Sequence, residues 1–338
     1  MGVLPIGLAP EQSSGAIDEQ NSAAAGAIRR HGMRAVAWFL LITIAALIPP
    51  LAPDFAGSAS LILVFLLLAT ALSLETAVAA VPDFAIAANF AAGAYCVALW
   101  PARSGWTMLE CLPACGAIGL VIGVALGTVL VRRSAAVFAI VTLSFGAVVQ
   151  TILNNWNALA GGANGFRIAT SVDLELYYYV LLAIVLCAGA IAWRLRRSSL
   201  ALALRAAREN EIACCSIGIS SAGLKIRVIA VAGALAGIAG GLYAVAQGTV
   251  RPDQFDVSTT ATVFMLVLAG GTRSQLRLSV AATLIIGIQL IVPFFAEYRL
   301  LTCGIALVLW PLIRRWVRRI VEPDANIRMF TRVKAQIE

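Results

Sequence analysis

Long apolar runs follow one another along most of this 338-residue chain, and they constrain its fold more than any other feature. An α-helix satisfies its own backbone N–H and C=O groups, and about 17–25 mostly apolar residues carry it across the roughly 30 Å hydrocarbon core of a bilayer. Barrel strands would give shorter segments of alternating polarity. With 61% hydrophobic and 12% charged residues, the chain lies far outside the soluble average of about 45–50% apolar and about 25% charged. The sequence therefore predicts an all-α fold, a polytopic bundle of transmembrane helices. Ten candidate spans read at about 35–50, 58–75, 84–101, 113–131, 136–153, 175–194, 226–248, 257–271, 278–295 and 298–314. Glu75 to Asp83, with Pro82, joins the second to the third. One of the two is expected to be broken or re-entrant, which is tolerated only inside a protein bundle.

Lys and Arg are retained on the cytoplasmic side of membrane proteins. With the N-terminus inside, 21 of the 25 Lys and Arg fall in cytoplasmic segments, and only Arg103, Arg167, Arg251 and Arg299 lie outside. Ten spans with both termini cytoplasmic follow. Residues 1–30 read as a disordered extension, 31–314 as the transmembrane domain with a cytoplasmic loop at about 195–224, and 315–338 as a basic tail. Arg314, Arg315, Arg318 and Arg319 beside Trp310 and Trp316 fit an interfacial helix. The net charge of +8 sits at helix ends and in this tail, without the aromatic interleaving that stacks bases. Membrane lipid, and no nucleic acid, is the expected partner.

Enzyme chemistry has little to work with. His31 is the only histidine, and neither an H-E-x-x-H pair nor a G-x-x-x-x-G-K-[ST] phosphate loop occurs. No catalytic residue is assigned, and any ATP used must be hydrolysed by another chain. The seven cysteines include no C-x-x-C pair, so no metal site is expected. Cys96, Cys187 and Cys303 read as small hydrophobes, while Cys111 and Cys115 leave a disulfide open if their loop faces an oxidising compartment. Polar groups within spans are costly, which makes Asn89, Gln150, Gln289 and Glu297 candidates for a path or for helix-to-helix hydrogen bonds. For Glu297, beside Arg299, an interfacial ion pair is the simpler account.

Three blocks stand out. Leu200 to Gly218 is a charged, helix-favouring island between apolar runs, with Arg205, Arg208, Glu209, Asn210 and Glu211 in seven residues, then Gly218. Such a segment must be solvated or buried against a partner. Phe138 to Phe166 delivers Asn154, Asn155 and Asn157, then Gly161, Gly162, Asn164 and Gly165, at the external end. Glycines permit tight turns or close approach to a ligand, and a polar turn capping a helix is the plainer reading. Val231 to Gly248 sets Gly233, Gly237 and Gly241 four apart, a stripe that lets another helix pack closely.

Taken in order, Phe138 to Gly146, Asn154-Asn155-Trp156 with Gly161 to Gly165, Arg205 to Glu211 with Gly218, Gly240 to Tyr243 and Gly270-Gly271 resemble the branched-chain amino acid ABC transporter permeases, the LivM-like member of the LivH/LivM pair. The resemblance covers about residues 60–310. It implies a multi-pass protein of the bacterial inner membrane, working with a second, LivH-like permease, an extracytoplasmic substrate-binding protein and two ABC ATPase subunits. ATP and Mg would be used by those subunits, with no cofactor bound by this chain. The island corresponds to the coupling loop that such permeases offer to their ATPases. Asn89, Gln150, Asn154, Asn155, Gly161, Gly162, Asn164 and Gly165 are the candidates for a translocation path or gate. Two regions depart from the family pattern. Residues 80–85 replace a polar, glycine-rich G-Q-x-S-L-G stretch, and Thr272-Arg273-Ser274 with Arg277-Leu278 replace a further glycine and a Gly-Pro. They bear on the substrate, for which neutral amino acids, amides and urea stay open. The competing class is a secondary transporter or channel, which would put ionisable residues inside its spans; Glu75 and Asp83 are its main candidates.

Overall fold

The computed structural model describes residues 53–100, 110–130, 133–157, 161–168, 173–272, 274–291, 298, 301, 304–305 and 308–309. The first expected span, most of the tenth, the N-terminal extension, the basic tail, Glu297 and Cys303 lie outside them. Ten α-helices fall within this region: α1 (Pro53–Leu74), α2 (Ile86–Leu99), α3 (Leu112–Leu130), α4 (Ala135–Asn155), α5 (Leu174–Arg197), α6 (Ser199–Glu209), α7 (Glu211–Ser216), α8 (Ser221–Gln247), α9 (Val257–Gly270) and α10 (Gln275–Ile291). Each described span lies within a few residues of its expected bounds, apart from the earlier starts of α1 and α8.

Five apolar helical stretches are long enough to cross a membrane: 55–79, 112–129, 135–155, 174–197 and 221–247. At 14 residues each, α2 and α9 would span only about 21 Å at 1.5 Å per residue. Each is extended by non-helical chain, α2 by residues 80–85 and α9 by a 3₁₀ turn at Pro252–Phe255. Turn chemistry fixes where helices begin. Ser134, Ser198, Asn210 and Ser220 each accept a backbone N–H three residues on, at 3.4, 3.4, 3.0 and 3.5 Å, satisfying a donor that has no partner within the helix. Gly248, at φ +61°, closes α8.

The core is built on α8, whose apolar window is 83% buried. It packs against α2 and runs antiparallel to α3 over a seam of small residues. A Cβ on Gly93 would lie 1.9 Å from the Gly237 carbonyl oxygen, one on Gly119 2.1 Å from that of Gly233, and one on Gly240 1.9 Å from that of Phe90. The glycine stripe is thus a helix-packing surface, as its spacing indicates. Tyr177 ties α5 to this unit by donating its hydroxyl to the Leu242 carbonyl at 2.7 Å. Cys111 and Cys115 sit one turn apart, buried and free. The open disulfide reading is therefore corrected: Cys115 lies at the α3–α2 contact and donates its thiol to the Gly93 carbonyl at 3.4 Å. By contrast α4 is only 11% buried along its window, which leaves most of its apolar surface for lipid or another protein.

Candidate functional site

The segment between the second and third expected spans breaks the helical course at the end of the bundle that carries the charged island. After α1 the helix widens into a π-helical turn, Glu75–Ala79, and ends at Ala80 with φ +60°. Among the described residues Ala80 is the one non-glycine with positive φ. The chain then turns back through residues 80–85. Phe84 donates its N–H to the Thr142 hydroxyl at 3.1 Å and stacks on Phe264, with ring centroids 4.3 Å apart. The Asp83 carboxylate accepts the Ala85 N–H at 2.7 Å, where α2 begins. Glu75 and Asp83 are both about 1% exposed, and each has one carboxylate oxygen with no hydrogen-bond partner.

This break sits under the charged island. Ala201, Leu204 and Ala207 repeat every three residues and form the buried side of α6. Ala201 and Leu204 join one cluster with Val78, Ala79 and Val81 of the break, Phe138 of α4, and Val228 and Ile229 of α8. The opposite side of the island is open. Leu202, Ile212 and Ile217 are 68%, 84% and 72% exposed, a large apolar exposure for a segment read as cytoplasmic.

The residues singled out within the island have distinct local roles. Asn210 ends α6 and caps α7. Gly218, at φ +82°, makes the turn after α7, with open space where a Cβ would stand. Glu209 is exposed. Glu211 accepts the Ser221 hydroxyl and lies 3.9 Å from the Lys225 ammonium, so it fastens α7 to α8. Arg208 reaches across to donate to the Thr76 and Ala77 carbonyls, both at 3.3 Å, acceptors in the last turn of a helix that ends at Ala79. Arg205 donates to the Arg196 carbonyl at 3.3 Å, and Arg196 to the Ser73 hydroxyl at 2.7 Å. A chain of contacts therefore runs from the island into the end of α1. The charge pattern marked the island but not this inward grip, because which helix end a side chain reaches depends on tertiary packing.

Most of the other candidates lie toward the far end of α4, about 30 Å from its start for 21 residues of helix. Gly161, Gly162 and Gly165 all have positive φ. A Cβ on Gly165 would meet the Val250 carbonyl oxygen at 2.2 Å, and one on Gly162 the Asn157 Oδ1 at 1.9 Å. These glycines let the loop dock on a two-stranded clasp, β1 (Phe166–Arg167) against β2 (Thr249–Val250). Asn154 and Asn155 are exposed, and the Asn155 amide donates to the Thr151 carbonyl of its own helix at 2.8 Å. Asn164 lies in the 3₁₀ turn of this loop, and Gln150 is half-buried on α4. Asn89, on α2, is 1% exposed with its Oδ1 unpartnered. The structure thus forms two groups at opposite ends of α4, one at the break and island, with Asn89 in the first turn of α2, and one at the glycine clasp.

Comparison with known proteins agrees with this architecture. Residues 55–310 match the family described as the branched-chain amino acid transport system permease component. The chain is 31% identical over 288 residues, 76% of its own length and 68% of theirs, to the high-affinity branched-chain amino acid transport system permease proteins LivM of Salmonella typhimurium and Escherichia coli. No solved structure matches it. A multi-pass helical bundle of the inner membrane, matched over most of its length, the chain belongs to the branched-chain amino acid transport permease family.

Proposed function

We propose that this chain is one permease half of an ATP-driven importer for branched-chain or other neutral amino acids, working by alternating access with a second, LivH-like permease. An extracytoplasmic binding protein would deliver substrate at the glycine-clasp end. Two ATPase subunits would use ATP and Mg, and this chain would contribute no ATPase site. The observation that carries the reading is the island itself, with Leu202, Ile212 and Ile217 facing outward and Arg208 gripping the π-helical turn inward. Closure of the ATPases on α6 and α7 would pull on Arg208 and so on the break that joins α1 to α2. A π-turn ending in a left-handed residue is a place where a helix can shift register at small cost.

Co-purification in mild detergent with the products of neighbouring genes tests this reading. Recovery of ATP-binding subunits and a second permease, lost when residues 208–211 are replaced by alanine, supports it; a homo-oligomer without ATPase overturns it. Glu75 and Asp83 favour a second reading, a secondary carrier or channel for a small polar solute such as urea or an amide, since buried carboxylates with unpartnered oxygens suit ion coupling. Uptake by ATP-depleted vesicles that follows a proton gradient would select that reading.

A further inference from the structure

Between the break, the start of α4 and the island lies a cavity of about 120 Å³, lined by Arg133, Arg208 and Lys225 over an apolar floor that includes Val81 and Phe138. No acidic side chain lines it. Among the described residues only Lys225 has a carboxylate within ion-pair distance, Glu211 at 3.9 Å. Ala135 also lines the cavity, at the first position of the 21-residue helix α4, whose free N–H groups add positive potential. Next to this cationic pocket, α4 leaves Val137, Ile140 and Val141 exposed.

We infer that the pocket holds the phosphate of an anionic phospholipid of the cytoplasmic leaflet, with an acyl chain lying along the exposed side of α4. Three features select this occupant. The cations recognise a compact anion, and the cavity has room for a phosphate group but not for a folded peptide segment. The pocket stands at the cytoplasmic end of a span, where anionic headgroups lie and basic pockets between helices capture them. The apolar floor continues onto an exposed apolar helix, which a soluble anion would leave uncovered. A lipid there would sit against both Ala79–Val81 and Arg208, so headgroup composition would bear on the break that the island grips. The inference rests on the membrane fold and on the cytoplasmic placement of this end, and it stands or falls separately from the ATPase reading.

The test is native mass spectrometry of the full chain in detergent, titrated with phosphatidylglycerol or with phosphatidylcholine. Wild-type protein should retain phosphatidylglycerol in preference. Arg133→Gln with Lys225→Gln should weaken that retention roughly tenfold or more, from about 1 kcal/mol lost per cation. Arg133→Lys with Lys225→Arg should preserve it, as should Arg251→Gln at the external end. If the double variant folds poorly, Arg133→Gln alone, at an exposed rim position, gives the same comparison with a smaller change. Equal retention by wild type and variant would overturn the inference. Displacement of the lipid by inorganic phosphate at equal concentration would overturn it in favour of a soluble anion. Exclusion of lipid whenever ATPase subunits are bound would overturn it in favour of an acidic side chain of the partner.

Discussion

The seam around α8 and the break between α1 and α2 treat buried backbone in opposite ways. Along the seam, carbonyl oxygens approach so closely that a single added carbon would collide with them, at 1.9–2.1 Å for Gly93, Gly119 and Gly240. At the break, two carbonyls of the helix's last turn accept from Arg208, and two carboxylates each keep an unpartnered oxygen. Interiors packed like the seam transmit strain without yielding. Regions with unsatisfied polar groups store free energy that a rearrangement can release. The seam is thus the rigid frame, and the break is the element that can switch.

The largest effect expected from this contrast is on the seam. Gly93→Val or Gly240→Val should abolish recovery of monodisperse protein, because overpacking typically costs about 1–3 kcal/mol and here the clash is with backbone that cannot rotate away. Gly287→Ala, with open space around it, should shift the unfolding midpoint by an amount within error, about 0.5 kcal/mol or less. Equal tolerance at both positions would remove the rigid-frame half of the comparison. At the glycine clasp, Gly165 has φ +68° and ψ −168°, a conformation essentially restricted to glycine, and a Cβ there would meet the Val250 carbonyl oxygen. Gly165→Ala should cost about 1–3 kcal/mol or more and visibly lower the unfolding midpoint.

Smaller effects should sharpen the description of the break. Asp83→Asn keeps an acceptor for the Ala85 N–H and removes a buried carboxylate that has an unpartnered oxygen, and should raise the unfolding midpoint by about 1 kcal/mol; a fall would show that the carboxylate itself holds the break. Ala80→Gly relieves a left-handed alanine and should raise the midpoint slightly, by about 1 kcal/mol or less; a fall would mean that the break is held by the Ala80 methyl.

Much of this architecture was legible in the residues. Apolar run length placed the described spans, and the four-residue spacing of Gly233, Gly237 and Gly241 identified the seam, because both are periodic properties of a helix. Glu75 to Asp83 with Pro82 located a break, but not its π-helical turn or the burial of both carboxylates, which depend on packing from α4, α6 and α8. The charges of the island were visible, whereas the division of labour among them was not. Asn210 and Glu211 act locally as a cap and a fastener, Arg208 points inward, and the outward surface is carried by Leu202, Ile212 and Ile217. Isoleucines in a charged, exposed segment were the available signal. The glycines at 161, 162 and 165 were readable as turn formers, and only the three-dimensional pairing with β2 explains why a turn is needed there.

The central claim is that Arg208 carries motion of the island to the break. The most direct measurement is ATP hydrolysis and ATP-driven uptake of leucine, recorded together in proteoliposomes containing the full transporter with Arg208→Ala or Arg208→Lys. The account predicts that Arg208→Ala still assembles and hydrolyses ATP while uptake falls about tenfold or more, consistent with loss of charge-assisted bonds worth about 1.5–3 kcal/mol, and that Arg208→Lys restores part of it. Uptake and hydrolysis that stay coupled in the alanine variant, at whatever level, would contradict it.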